Sequence, residues 1–260
     1  MSAISSRITD DVEQKEIFSQ EELALFDRAK VPRHIAIMMD GNRRWARINN
    51  HYPMRGHLEG AQVLTDVVRA AIQLGVQTLT VYAFSTENWN RSESEVESLM
   101  KIFELYLVSK RPLMIKEGIK LDAIGDLSHL PPRIQKTLER TRQATRENQK
   151  INLVLALNYG GRDEIRRAVG RILERHEEKK ITPSELTERF ISQFLDTNEW
   201  GDPDLLIRTS GEMRVSNFLL WQISYSEFYV TDVLWPAFTP QEFLRAILAF
   251  QARQRRLGGG

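Results

Sequence analysis

Six short apolar runs, each closed by glycine, proline or polar turn residues and separated by amphipathic sequence, constrain this chain more than any other feature. They fall at 35–39, 76–84, 120–124, 151–157, 204–208 and 227–230. Runs of this length, rich in Val, Ile, Leu and Tyr and bounded by turn residues, read as buried strands. The intervening stretches read as helices. One spans 56–74 and is stopped by Gly75, a second spans 93–117 with a bend or break at Pro112 and Gly118 at its end, and others cover 131–148 and 162–176. Strand and helix in alternation predict an α/β fold, with a mainly parallel sheet of about six strands covered on both faces.

Thr182-Pro183-Ser184-Glu185 and Thr239-Pro240-Gln241-Glu242 have capping-box spacing with proline at the first helical position, which predicts two more helices. A short helix is expected at 216–222. Before about Ile17 the sequence is polar and includes Asp10-Asp11, and 18–30 places Leu23, Leu25, Phe26 and Ala29 at roughly helical spacing. The expected organisation is a tail and docking helix over 1–30, then one domain over 31–260. No internal repeat or low-complexity linker divides it, and 260 residues suffice for a substantial core.

Composition removes several functions. With 36 Lys+Arg against 35 Asp+Glu the net charge is +1, so no global field recruits nucleic acid. There is no cysteine, which excludes disulfides, thiolate metal sites and a cysteine nucleophile. No window approaches the ~20 apolar residues of a spanning helix, and no signal sequence opens the chain, so a cytoplasmic protein is expected. Neither a Walker loop nor HExxH occurs, and Gly160-Gly161 lacks dinucleotide-binding spacing.

Chemistry concentrates where strands end. After the run at 35–39 comes Asp40-Gly41-Asn42-Arg43-Arg44-Trp45, a sharp turn into a helix that gathers free backbone N–H groups and two guanidiniums, an anion site. Asp40 would repel a phosphate unless a divalent cation, most naturally Mg²⁺, bridged them; the alternative is an ordinary turn with solvated arginines. Arg208 through Asn217 collects Arg208, Arg214 and Ser216 before a predicted helix, either a second anion site or a capped polar loop. Glu227, in an apolar run, is read as a metal ligand or a salt-bridge partner. His57 at a helix start is read as a phosphate contact or a cap.

Taken in order, 40–45, Gly56-His57, Ala83 to Arg91, Asn158 to Arg162 and Arg208 to Trp221 resemble the motifs of the cis-prenyltransferases, covering the chain from about Pro32 onward. The resemblance implies an α/β fold with a hydrophobic tunnel, and condensation of farnesyl diphosphate with successive isopentenyl diphosphates to a long-chain polyprenyl diphosphate. Mg²⁺, a homodimer and peripheral membrane contact for product release are implied with it. Carried across by position, Asp40 is the metal-linked catalytic carboxylate, and Gly41, Asn42, Arg43, Arg44 and His57 hold the primer diphosphate, with Trp45 lining that site. Ser85, Thr86, Glu87, Trp89 and Arg91 border the reacting ends, and Asn88 is the family's proposed proton acceptor, although an amide is a poor base. Arg208, Arg214, Val215 and Ser216 grip isopentenyl diphosphate, with Glu227 a second metal contact, from the partner subunit's side. One departure is Pro53, where an arginine is expected; Arg55 stands two positions away. If strand alternation persists to Ser85, Val81 and Ala83 share its face, Ala83 ~7 Å deeper along the growing chain's path, and Ile151 lies near the tunnel floor. The competing expectations are a catalytically silent partner subunit that binds lipid diphosphate, and a basic nucleic-acid binder.

Overall fold

The computed structural model describes residues 16–179 and 181–253; the tail with Asp10-Asp11 lies outside the described residues. The sheet has six strands: β1 (His34–Met38), β2 (Thr78–Ser85), β3 (Ile119–Ile124), β4 (Ile151–Tyr159), β5 (Leu205–Arg208) and β6 (Glu227–Val230). Their spatial order is β3-β4-β2-β1-β5-β6, and every pairing is parallel. This is the α/β class the alternating pattern predicts. The chain leaves β1 for β2 on one side and leaves β5 for β6 on the other, so the connections after β1 and β5 diverge. In an open parallel sheet such a divergence leaves a crevice beyond the strands' carboxyl ends.

The α-helices are α1 (Gln20–Leu23), α2 (Asn42–Ile48), α3 (Pro53–Leu74), α4 (Glu93–Glu117), α5 (Pro132–Thr145), α6 (Gly161–Lys179), α7 (Glu188–Ser192) and α8 (Pro240–Gln251). Alternate strand residues serve different cores. Ile35, Ile37, Val81, Leu153 and Leu155 meet Leu64, Leu107, Ile134 and Ile247 of α3, α4, α5 and α8, while Ala36, Met38, Val154 and Ala156 meet Phe218, Leu219 and Ile223 on the opposite face. Glycines in the left-handed conformation end α3 (Gly75, φ 85°) and α4 (Gly118, φ 74°), as expected of helix-terminating glycines.

Several local expectations are corrected. Pro112 does not break α4, which runs through it; the proline is exposed, where the carbonyl it leaves without an N–H partner can be solvated. The Thr182 capping box forms, but it closes one 3₁₀ turn, and Thr187 then caps the separate α7. The docking helix is reduced to α1 and a 3₁₀ turn at Arg28–Lys30, because its apolar residues do not share one face: Leu25 is 80% exposed, whereas Phe18 is 1% exposed in the main core. No helix forms at 216–222. Ser216, Asn217 and Leu219 have positive φ there, and a 3₁₀ turn follows at Gln222–Tyr225. Among the described residues, no helix is long and apolar enough to cross a membrane.

Candidate active site

The crevice after β1 and β5 opens into a cavity of about 350 Å³. Polar residues ring its mouth: Asp40, Asn42, Arg43, Arg44, His57, Asn88, Arg91 and Ser210; its depth is apolar, with Leu64, Ala83, Leu99, Ile102, Phe103 and Leu155. Two glycines bring the helices of the mouth together. A Cβ at Gly56 would stand 2.1 Å from the Asn42 carbonyl oxygen, and one at Gly60 would stand 2.4 Å from Asn42 Oδ1. α3 therefore packs directly on the start of α2. Gly41, at φ 101° and hard against Leu234, makes the turn that aims the first N–H groups of α2 at the crevice.

Asp40 is held from three directions. Its N–H donates to Thr209 Oγ1 (2.9 Å), Gly41 N–H donates to its Oδ1 (2.8 Å), and Arg208 Nη2 donates to its Oδ2 (3.0 Å). Arg208 is almost wholly buried, and its other arm donates to Ser216 Oγ (3.1 Å) and to the Arg214 carbonyl. The two strand-end motifs are thus one site, joined through Asp40 and Arg208.

The remaining arginines are poised on carboxylates that sequence reasoning left without a role. Glu95 lies between Arg91 (2.8 Å) and Arg43 (3.7 Å), and Glu212 between Arg44 (3.0 Å) and Arg214 (2.5 Å). Hydrogen bonds from Arg44 and then Arg214 hold the Glu212 carboxyl below its usual pKa. These partly exposed pairs are weak enough for a doubly charged anion to displace. The i,i+4 spacing of Arg91 and Glu95, across the start of α4, was the available sequence signal. His57 sits beside the Arg43–Glu95–Arg91 cluster with its pKa lowered to about 4, first by burial and then by the nearby Arg91, so it is neutral at pH 7.

Four buried polar atoms here have no hydrogen-bond partner: Asn42 Oδ1, His57 Nε2, Arg208 Nε and Ser210 Oγ. Buried polar groups are ordinarily satisfied, so this convergence marks a ligand-binding mouth. A metal can be tested against the same residues. Among the described residues, no group of three or more His, Cys, Asp or Glu could hold an ion. Asp40 offers one partly exposed carboxylate, which suits Mg²⁺ held by a single protein carboxylate and substrate phosphate oxygens.

Other residues singled out from the sequence fall as follows. Asn88 lines the cavity, but its Oδ1 accepts the Ser85 N–H (3.1 Å) and closes the 3₁₀ turn at Thr86–Asn90. Trp89 donates to Asn158 Oδ1 (2.8 Å), and Glu87 accepts from Asn217 Nδ2 (3.0 Å). Thr86 Oγ1 stands where a side chain on Gly160 would have to go. Trp45 packs with His51 and is not among the cavity-lining residues; Val215 joins the second core. Pro53 is the first residue of α3, and Arg55 pairs with Glu59 at 2.5 Å, outside the cavity lining. Glu227 opens β6 at the amino end of the sheet, with its carboxylate on Arg253 (2.7 Å), so one chain does not bring it to Asp40.

Strand alternation breaks before Ser85. The register shifts at Tyr82/Phe84, so Ala83 is an extra residue at a bulge. Ala83 lines the cavity, whereas Val81 is sealed in the core. Ile151 is buried at the start of β4, about 13 Å below the lining residue Leu155 at ~3.3 Å per residue.

Comparison with known proteins agrees with this arrangement. A family model described as "Putative undecaprenyl diphosphate synthase" matches residues 38–258. An isoprenyl transferase of Chlamydia trachomatis serovar D is 49% identical over 232 residues, covering 88% of this chain and 92% of that protein. One from Geobacillus kaustophilus is 48% identical, covering 89% and 90%. A crystal structure of lavandulyl diphosphate synthase from Lavandula x intermedia, in complex with dimethylallyl diphosphate, superposes with TM-score 0.87 at 36% identity, covering 89% of this chain and all of that one. A "probable undecaprenyl diphosphate synthase" from Campylobacter jejuni gives TM-score 0.74 at 32% identity, covering 88% and 99%.

Proposed function

Because the chain belongs to the undecaprenyl diphosphate synthase family and is therefore an isoprenyl transferase, we propose that it condenses farnesyl diphosphate with successive isopentenyl diphosphates. Each new double bond is cis, and the product is a long-chain polyprenyl diphosphate, undecaprenyl diphosphate, serving cytoplasmic synthesis of the peptidoglycan lipid carrier. The observation that carries the reading is the Asp40–Arg208 pair at the mouth of an apolar cavity, flanked by two clusters of displaceable arginines.

In this reading the primer diphosphate sits over the start of α2, on Asn42, Arg43, Arg44 and His57, with its tail in the cavity. Isopentenyl diphosphate lies on Arg208, Arg214 and Ser216. As the allylic C–O bond breaks, negative charge builds on the departing diphosphate, and guanidiniums fixed beforehand stabilise it without reorganising. Asp40 would hold Mg²⁺, which supplies further charge neutralisation on the phosphate oxygens. Asn88 lies beside the reacting ends; its engaged Oδ1 makes it a positioning group for the 86–90 turn as much as a proton acceptor. Residues 31–260 are the catalytic unit of a homodimer in this reading, and Glu227 would serve as a second metal ligand from the partner subunit's side. The long apolar product leaves through peripheral contact with a membrane.

The test is incubation with farnesyl diphosphate, labelled isopentenyl diphosphate and Mg²⁺, followed by mass analysis of chain length and NMR of bond geometry. Elongated cis product is expected. No elongation by the purified protein, restored on adding a second subunit, would instead identify a silent partner.

A further inference from the structure

The motif Asn158-Tyr159-Gly160-Gly161-Arg162 is not consumed by the diphosphate contacts, yet it touches the segment that carries them. Gly160 and Gly161 are there for close approach. A Cβ on Gly160 would lie 2.7 Å from Asn217 Nδ2, and one on Gly161 would lie 2.8 Å from Leu220 Cγ. The segment pressed against them is strained, with Ser210 (φ 78°), Ser216 (φ 43°), Asn217 (φ 62°) and Leu219 (φ 46°) all left-handed without glycine. Such conformations persist only where their surroundings over-determine them.

Asn217 is the centre of that restraint. Its carbonyl accepts the Gly161 N–H (2.7 Å), its Oδ1 accepts the Arg162 N–H (2.9 Å), and its Nδ2 donates to Glu87 Oε1 (3.0 Å). The two ends of its side-chain amide are thus directed at different segments. Behind it, Phe218 stacks on Tyr82 at 4.4 Å between ring centroids, and Gln222 donates to the fully buried Glu164, which also accepts from Tyr159 Oη (2.5 Å). Ser216, which precedes Asn217, receives the Arg208 guanidinium, and Glu87 belongs to the 86–90 turn beside the cavity.

We infer that Asn217 is a positioning residue: its amide ties the Arg208–Arg214–Ser216 grip to the Glu87 turn and so fixes the distance between the two diphosphate-bound substrates. Asn217 touches neither substrate in this assignment, and the assignment rests on the proposed condensation.

Replacing Asn217 by glycine removes the amide while leaving the left-handed backbone unstrained, so the loss reports hydrogen bonds rather than folding. Loss of its two side-chain hydrogen bonds predicts a rise of about tenfold in KM for isopentenyl diphosphate, with the farnesyl diphosphate KM within about twofold of the parent. Asn217→Asp keeps the acceptor for Arg162 but sets a carboxylate against Glu87, and should be impaired at least as much. Adding Glu87→Gln restores the link with its polarity reversed, the introduced amide donating to the introduced carboxylate. The double variant should lower the isopentenyl diphosphate KM at least about threefold below that of Asn217→Asp alone. A KM within about twofold of the parent in Asn217→Gly, or no recovery in the double variant, overturns the positioning role. Absence of product from the parent protein would instead overturn the condensation itself, which separates the two failures.

Discussion

Removal of the Asp40 carboxylate separates catalysis from folding, because the two partners of its ion pair differ in exposure. Arg208 is 6% exposed at its side chain and Asp40 is 42% exposed, with 3.0 Å between the charged atoms. Breaking a fully buried pair costs about 3–5 kcal/mol. Water reaching Asp40 screens much of that, so Asp40→Ala should lose about 1–2 kcal/mol, or roughly 5 °C in Tm for a chain of this size. Asp40→Asn, which keeps an acceptor for the Gly41 N–H, should lose less. Turnover should fall in both variants by ~10²-fold or more, because the negative charge that would hold Mg²⁺ against the diphosphate is gone. Initial rates with labelled isopentenyl diphosphate across a magnesium titration, alongside thermal melts followed by circular dichroism, measure both quantities. Turnover of Asp40→Asn within about threefold of the parent at saturating magnesium would refute the metal-linked role.

Arg208→Ala and Arg214→Ala should chiefly raise the KM for isopentenyl diphosphate; a change confined to the primer KM would show that the two anion sites are exchanged. Ala83→Leu should narrow the cavity and shorten the main product while the first condensation survives, as read by thin-layer or mass analysis. Ile151→Ala should deepen the cavity below Leu155 and lengthen the product, at a stability cost of about 2–5 kcal/mol; unchanged lengths in both folded variants would place the chain elsewhere. His34, buried between Gly201 and Thr80, has its pKa lowered from 6.5 to about 4 by burial. The unfolded chain therefore takes up a proton that the folded one refuses: the stabilisation is complete above pH 6.5 and declines by about 3 kcal/mol as pH falls toward 4. Urea midpoints at about pH 7.5, 6 and 5 should show this decline, and His34→Asn should remove the His34 share of it while the share of the similarly lowered His57 remains.

The sheet was legible because its evidence is local: apolar runs of strand length, ended by residues that cannot continue them. Gly75, Gly118 and the Thr239 cap each mark a boundary the structure keeps. The failures are places where tertiary contacts outrank local chemistry. Ser216 has the composition of a helix cap, but its hydroxyl receives Arg208 and the next amide is engaged by Arg162 and Glu87, so no helix starts. The period of β2 reads cleanly up to Tyr82, and a bulge that inserts Ala83 is invisible to a rule of two. The arginines of the mouth were legible as an anion site, whereas Glu95 and Glu212 as shared resting counterions were not, since each also reaches an arginine remote in sequence, Arg43 and Arg44, across a distance set by the fold.

In the proposed elongation, an apolar cavity behind a charged mouth would act as a clock for the reaction. Each isoprene unit drawn inside removes about five carbons from water, worth on the order of 0.8 kcal/mol per methylene, so the escape rate of the intermediate falls by about a thousandfold per unit added. In that reading escape becomes negligible beside the next addition, and synthesis would be processive with no device dedicated to retention. Once the tail has filled the apolar space that opens at Leu64, Leu99, Ile102, Phe103 and Leu155, another unit would gain no shelter and the advantage of staying would vanish. The same cavity that suppresses early termination would therefore set when termination begins.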